Sequence, residues 1–302
     1  MQAAQLMTAP ELKGELRYDE PMARHVSWRA GGKAKRYFIP ADLDDIARLI
    51  ASLPRDEKIM WMGLGSNTLF RDEGFDGTVI ALQGVMTGLE LIDETHVYAG
   101  AGVSCAKLAR FCARNQLQGA EWFAGIPGLI GGALAMNAGA FGGETWENVT
   151  SVETLDHEGV RHKRSPNEYR VGYRSVQGPD NEWFTAATFE FERGKSGDSV
   201  ADIKALLARR AEAQPTGLAS CGSVFTNPEN DFAARLIEAC GLKGYRVGGA
   251  VVSEKHANFI INDNKATATD IEALIKHIQK TVAEQQGVTL HTEVRIVGGA
   301  HD

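Results

Sequence analysis

Apolar residues recur along this chain with two periods. Short apolar runs bounded by turn residues predict strands at 35–39, 58–62, 78–82, 96–99, 149–156, 183–192, 258–262 and 293–297. His157-Glu-Gly159 reads as a turn after the fifth. Stripes at intervals of three and four predict helices. Leu43, Ile46, Leu49 and Ile50 share one face; Cys105, Leu108, Ala109 and Cys112 share another, behind Ser104 as N-cap. Residues 198–213 form a charged amphipathic stripe. Phe232, Leu236, Ile237 and Cys240 form the next, closed by Gly241. The last helix carries Ile271, Leu274, Ile275, Ile278 and Val282, and Thr269-Asp-Ile-Glu272 reads as its capping box. Gln214-Pro-Thr-Gly217 interrupts the pattern and places a domain boundary nearby. No repeat or low-complexity tract is present. Helices and strands mix without strict βαβ alternation, which predicts an α+β fold.

One stretch obeys neither period. Residues 125–143 hold seven glycines in nineteen positions, and no charge falls between Glu121 and Glu144. Glycine costs conformational entropy on folding, so such a density needs a reason. Backbone lying against a phosphate or a flat ring supplies one. A tightly packed structural loop supplies another. A membrane span is disfavoured by Pro127, Asn137 and the scarcity of large apolar residues.

At 302 residues and 43% hydrophobic content the chain can bury a large core, in two or three domains. The net charge of −7 and the lack of a basic block argue against nucleic acid as main partner. Residues 1–14 show no basic segment followed by an apolar run, so no signal peptide is read there. A soluble, cytoplasmic, monomeric protein with no membrane partner is expected. The four cysteines make no C-x-x-C pair and the eight histidines no H-x-x-x-H pair, so no metal site is expected. Cys105, Cys112 and Cys240 read as core residues.

Gly63-Leu-Gly-Ser-Asn67 follows an apolar strand and reads either as a phosphate loop or as an ordinary turn. It is no Rossmann fingerprint, because Thr68 stands where the third glycine belongs, and no Walker loop follows. Taken alone, Gly172-Tyr-Arg-Ser175 reads as a surface segment and Cys221-Gly-Ser-Val-Phe-Thr-Asn-Pro228 as a turn. Gly241-Leu-Lys-Gly-Tyr-Arg-Val-Gly-Gly249 offers Lys243 and Arg246, which suit a diphosphate. Thr292-Glu-Val-Arg295 is a strand with one carboxylate.

In order and spacing these segments resemble the UDP-N-acetylenolpyruvoylglucosamine reductases, flavoenzymes that make UDP-N-acetylmuramic acid for bacterial peptidoglycan. The likeness covers residues 24–298. It rests on Trp28-Arg-Ala-Gly-Gly32, Gly63-Leu-Gly-Ser-Asn67, Gly125-Ile-Pro-Gly128 with Met136-Asn-Ala-Gly139, Tyr173-Arg174, Gly222-Ser-Val-Phe225, Leu242-Lys-Gly244, Lys255-His-Ala-Asn-Phe259 and Glu293-Val-Arg295. Each motif is unspecific; the ordered set is not.

The resemblance implies an N-terminal segment (1–27) and an FAD-binding domain of the vanillyl-alcohol-oxidase (p-cresol methylhydroxylase) type. That domain would span 28–195, in two α+β lobes of about 28–75 and 76–195. It further implies a substrate-binding domain at about 205–289 and a closing strand, 290–302, returning to the first lobe. FAD would be held by Gly63, Gly65, Ser66 and Asn67 and by Gly125, Ile126, Pro127, Gly128, Gly132, Asn137, Ala138 and Gly139. NADPH would be the reductant. Arg174, Ser223 and Glu293 would be catalytic: Arg174 for the charge built on the substrate carboxylate, Glu293 working with it in protonated form, and Ser223 to protonate C2. Tyr173, Asn227 and Lys243 would hold the sugar nucleotide.

Some positions depart from the family habit. His25-Val-Ser27 stands where many members have Asn-Thr, and Thr226 where many have Lys. The stretch between Arg174 and Ser223 is short, like the subgroup lacking an inserted substrate-clamping tyrosine loop, and Tyr245 is a candidate substitute. The competing readings are a flavin oxidase of a small alcohol on the same cofactor fold and a non-catalytic UDP-sugar-binding module.

Overall fold

A computed structural model of the chain describes residues 11–194 and 198–299. They fall into two units. The first comprises the described residues of Met1–Arg17, Arg36–Gly63 and Gly77–Ser196, the second those of Tyr18–Lys35, Leu64–Asp76 and Gly197–Asp302.

In the first unit, helix α1 (Leu43–Ser52) starts where the Asp42 side chain accepts from the Asp45 N–H. Its apolar face packs Ile46, Leu49 and Ile50 into a cluster with Phe38, Ile80, Leu82 and Leu155. Ile59–Met62 pairs in parallel with Phe75–Ala81, Ile59 opposite Thr78. A five-stranded sheet runs in the order Arg161–Arg164, Val149–Asp156, Glu182–Glu190, His96–Gly100, Leu89–Leu91. Helix α2 (Cys105–Arg114) is capped by Ser104, whose hydroxyl accepts from the Lys107 N–H. Cys105 and Cys112 are buried on its inner face, and burial pushes both thiols up to about 12, so they stay neutral core residues. The glycine-rich run, which shows no helical stripe in the sequence, contains a short helix, α3 (Ile130–Ala135).

The second unit holds α4 (Asp198–Ala213), α5 (Ala233–Ala239) and α6 (Ala268–Gln286). Arg246–Val247, Ala250–Val252 and Ile260–Asn262 form an antiparallel sheet. Thr68–Phe70 and Arg295–Val297 pair in parallel. Ile271, Leu274, Ile275, Ile278 and Val282 of α6 are buried in one cluster with Trp28, Leu69, Val224 and Phe225. The capping box of α6 is not Thr269-Glu272. It is Thr267 with Asp270, which meets the same spacing two residues earlier. Thr269 instead donates its N–H and hydroxyl to Asp72, and Glu272 pairs with Arg71 and Lys276. Among the described residues no helix is long and apolar enough to cross a membrane.

Candidate active site

Arg174 sits in the first unit, on the turn joining the paired strands Arg170–Gly172 and Ser175–Gln177. Its φ is +52°, a left-handed backbone that costs a residue other than glycine of order 1–3 kcal/mol. The guanidinium explains why this geometry is held. One terminal nitrogen donates to the Asn137 carbonyl and the other to the Gly139 carbonyl, both at 3.1 Å. The Glu144 carboxylate lies 3.9 Å away, and the ring of neighbouring Tyr173 lies 4.9 Å from the guanidinium carbon. The Arg174 side chain is only 16% exposed, unlike a surface arginine. It is thereby fixed to the far end of the glycine-rich run.

Asn137 ties that end together. It is 1% exposed, and its own φ of +46° is left-handed. Its amide donates to the Glu144 carboxylate and the Gly172 carbonyl, while its oxygen accepts from the Trp146 N–H. Its side chain is therefore committed to holding the Arg174 turn against the run. Ala138 and Ile126 are buried, whereas Pro127 is exposed. At the near end, a Cβ on Gly63 would lie 3.2 Å from Leu129, so the start of the Gly63-Leu-Gly-Ser-Asn67 loop already touches the run.

The second unit gathers Asn67, Ser223 and Glu293 onto neighbouring backbone. Gly222 has φ +73° and sets the turn before Ser223. Val224 then accepts at its carbonyl from the N–H groups of Glu293 and Val294, and Phe225 bridges to Thr292. Asn258, from the Lys255-His-Ala-Asn-Phe259 motif, fixes the same segment. Its side chain accepts from the Phe225 N–H and donates to the Phe225 carbonyl, and its own carbonyl accepts from Val224. The Asn67 amide donates to the Glu293 carbonyl at 3.0 Å, and the Arg295 N–H donates to the Asn67 carbonyl. Cys221, which the sequence shows only as the start of a turn, closes the circuit. Its thiol faces the carbonyls of Gly65 and Thr68 at 3.6 Å, and burial pushes it up to about 12, so it stays a neutral donor.

The remaining substrate candidates have local partners. Lys243 pairs with Glu238 at 2.8 Å, and the Asn227 side chain accepts from the Ala233 N–H at the start of α5. Tyr245 stacks on His277 of α6, ring centroids 4.3 Å apart. A cleft of about 520 Å³ in this unit, lined by Leu218, Arg246, Val251, Lys255, Ile261 and Asp263 among others, contains none of the candidate catalytic residues.

Several glycines are demanded by the protein's own packing or backbone, whereas Gly132 in the glycine-rich run is not. Gly65 has φ +60°, and a Cβ there would lie 2.2 Å from the His25 carbonyl oxygen. Cβ atoms on Gly125, Gly131 and Gly139 would meet Phe141, Ala101 and the Gly143 carbonyl at 2.5, 3.0 and 2.4 Å. At Gly132, inside α3 and exposed, a Cβ would meet nothing within 4 Å. An exposed helical glycine with ordinary φ and open space in front has no packing reason to be glycine, and it costs up to about 1 kcal/mol relative to alanine. The space in front of it is open to a ligand. With the uncharged backbone around it, this face of the first unit fits a flat ring such as that of a flavin.

Comparison with known proteins accounts for both parts of this arrangement. Residues 34–164 match the FAD binding domain family, and residues 214–297 match the C-terminal domain of UDP-N-acetylenolpyruvoylglucosamine reductase. The UDP-N-acetylenolpyruvoylglucosamine reductase of Alkalilimnicola ehrlichii is 56% identical, covering 99% of each chain. That of Thiobacillus denitrificans is 53% identical over 96% of this chain and 94% of its own. The crystal structure of UDP-N-acetylenolpyruvylglucosamine reductase from Thermus caldophilus superposes with a TM-score of 0.81 at 29% identity, covering 95% of this chain and all of that one. The α+β fold, the FAD-binding part and the ordered motifs thus have one common explanation: the chain belongs to the UDP-N-acetylenolpyruvoylglucosamine reductases, FAD-dependent oxidoreductases.

Proposed function

We propose that this protein uses NADPH to reduce UDP-N-acetyl-3-O-(1-carboxyvinyl)-glucosamine to UDP-N-acetylmuramate, in cytoplasmic synthesis of peptidoglycan precursors that serve cell shape and division. Arg174, Ser223 and Glu293 are assigned as the catalytic residues. The observation that carries the assignment is the Arg174 guanidinium, held in a left-handed turn against the carbonyls of Asn137 and Gly139. A cation fixed at the end of an uncharged, flavin-compatible surface is what this reaction needs.

Overall, the enolpyruvyl double bond gains a hydride at C3 and a proton at C2, and NADPH becomes NADP⁺. Bound FAD supplies the two-electron chemistry between NADPH and the sugar. Gly63, Gly65, Ser66, Asn67 and the 125–139 backbone hold it. Reduction at C3 builds negative charge at C2 and on the carboxylate. Arg174 binds that carboxylate, so the charge is met by a planar guanidinium cation. Glu293, protonated, donates to the same carboxylate and favours its enol form. Ser223 gives its hydroxyl proton to C2 and is reprotonated from water. Lys243, Asn227 and Tyr173 orient the sugar nucleotide, Lys243 exchanging Glu238 for the diphosphate. The segment 205–289 is the substrate-binding domain in this reading.

The test separates the two half-reactions in Ser223→Ala. Bleaching of the flavin by NADPH is expected to stay within about twofold of wild type, while its restoration by the enolpyruvyl sugar slows by about 10²–10⁴-fold. Equal slowing of both steps would remove Ser223 as the proton donor.

A further inference from the structure

Phe141 stands where its residue type is disfavoured. Strands Gly139–Ala140 and Gly143–Glu144 pair antiparallel, Gly143 opposite Ala140, which leaves Phe141-Gly142 as a two-residue turn. Their φ angles are +55° and +94°, both positive, as in a type I′ turn. Such a turn selects Asn, Asp or Gly at its first central position, not an aromatic. Core burial does not explain the exception, because Phe141 is 41% exposed. One edge of the ring lies over Gly125, whose Cβ position is 2.5 Å from the Phe141 Cε2. The hairpin below is fixed by the Trp122 ring, 2.6 Å from the Cβ position of Gly143. The same hairpin supplies the Gly139 carbonyl that accepts from Arg174. One hairpin thus presents an exposed aromatic ring and anchors the guanidinium.

We propose that Phe141 is a substrate-contacting residue of the reductase reaction. Its exposed ring face packs on the apolar enolpyruvyl carbons while Arg174 binds the adjoining carboxylate. The substrate fragment pairs an anionic and an apolar end two atoms apart; the hairpin offers the ring, and its Gly139 carbonyl holds the Arg174 cation. Packing there also keeps water from the carbon on which charge develops, where a fixed environment strengthens the contact with Arg174. The inference rests on the reaction proposed above and adds to it a residue that sets substrate fit.

The discriminating variant is Phe141→Asn, because a purely structural role and a substrate role predict opposite results. Asn suits the turn, so the melting temperature of the apo-protein is expected to hold or rise. Bleaching by NADPH is expected to stay within about twofold of wild type. Binding of the enolpyruvyl sugar to the oxidised enzyme, followed by flavin absorbance, should weaken, and the sugar-driven restoration should slow by about 10²-fold. Phe141→Tyr, which keeps the ring, should restore both. Wild-type binding and restoration in Phe141→Asn would overturn the proposal, and so would equal slowing of both half-reactions. If Phe141→Asn does not fold, Phe141→Leu, apolar but not flat, is read by the same criteria. A wild-type enzyme that does not respond to the sugar refutes the proposed reaction instead.

Discussion

Gly131 and Gly132 are neighbours in α3, yet they answer to different demands. Gly131 faces inward, where a Cβ would press on the Ala101 Cβ at 3.0 Å. Gly132 faces outward, into open space. The difference yields a prediction. Gly132→Leu should leave the melting temperature of the apo-protein nearly unchanged, because helix propensity offsets the small loss of solvation. It should weaken FAD binding, measured by flavin titration, by at least about tenfold, since a bulky side chain enters the space a flat ring would use. Undiminished FAD affinity would return the run to a structural loop. The sequence shows the glycine density but not this division, which depends on which neighbours the fold brings to each Cα. Positive φ at Arg174, Asn137 and Phe141 is equally hidden, because none is a glycine and only tertiary contacts hold them there.

Among the elements, the start of α1 carries a buried charge with a measurable pH signature. The Asp45 carboxylate is fully buried. Burial alone pushes it up, but the N–H groups of Lys13, Ala41 and Gly14 at 2.9, 3.1 and 2.7 Å outweigh that and hold it below the usual carboxylate range. Its folded value lies below its unfolded one. Its contribution is therefore complete above the ordinary Asp range near pH 4 and is lost as pH falls through the lowered folded value. Asp45→Ala should cost about 3 kcal/mol in urea unfolding at pH 7, because buried N–H donors lose a charged acceptor, and should show a shallower loss of stability on acidification. A cost under about 0.5 kcal/mol would mean that water satisfies those donors.

The elements were largely legible from periodicity. The stripe Ile271, Leu274, Ile275, Ile278, Val282 is the buried face of α6, and 198–213 are the bounds of α4. The cap of α6 was not, because Thr267-x-x-Asp270 and Thr269-x-x-Glu272 fit the same pattern. What decides between them is Arg71, far away in sequence, which takes Glu272. Helix α3 was hidden for a different reason: three consecutive small residues, Gly131, Gly132 and Ala133, carry no amphipathic signal.

Across the whole molecule, composition marks the division into two units only in part. One crossing falls between Gly63 and Leu64, in a glycine-bearing loop, but three others fall within the strands Glu15–Pro21, Lys33–Ile39 and Phe75–Ala81, where no Pro/Gly-rich linker separates the two sides. The ordered motifs, by contrast, identify the family across the chain, and each unit assembles its own share of the candidate site. Arg174 meets the glycine-rich run in the first; in the second the Asn67 side-chain amide donates to the Glu293 carbonyl, and the Glu293 N–H donates to the carbonyl of Val224, next to Ser223. The motifs are visible because they consist of glycines and chemically special side chains. The bonds that place them each have a backbone carbonyl or N–H on at least one side, which every residue carries, so the sequence does not show which partner is met.

The most direct measurement is the visible absorption spectrum of the purified protein under anaerobic conditions, recorded before and after NADPH and again after one equivalent of the enolpyruvyl sugar nucleotide. A flavin band that NADPH bleaches and the sugar restores is the predicted result. A protein that takes up no FAD, or a bleached flavin that only oxygen restores, would contradict the proposed reaction.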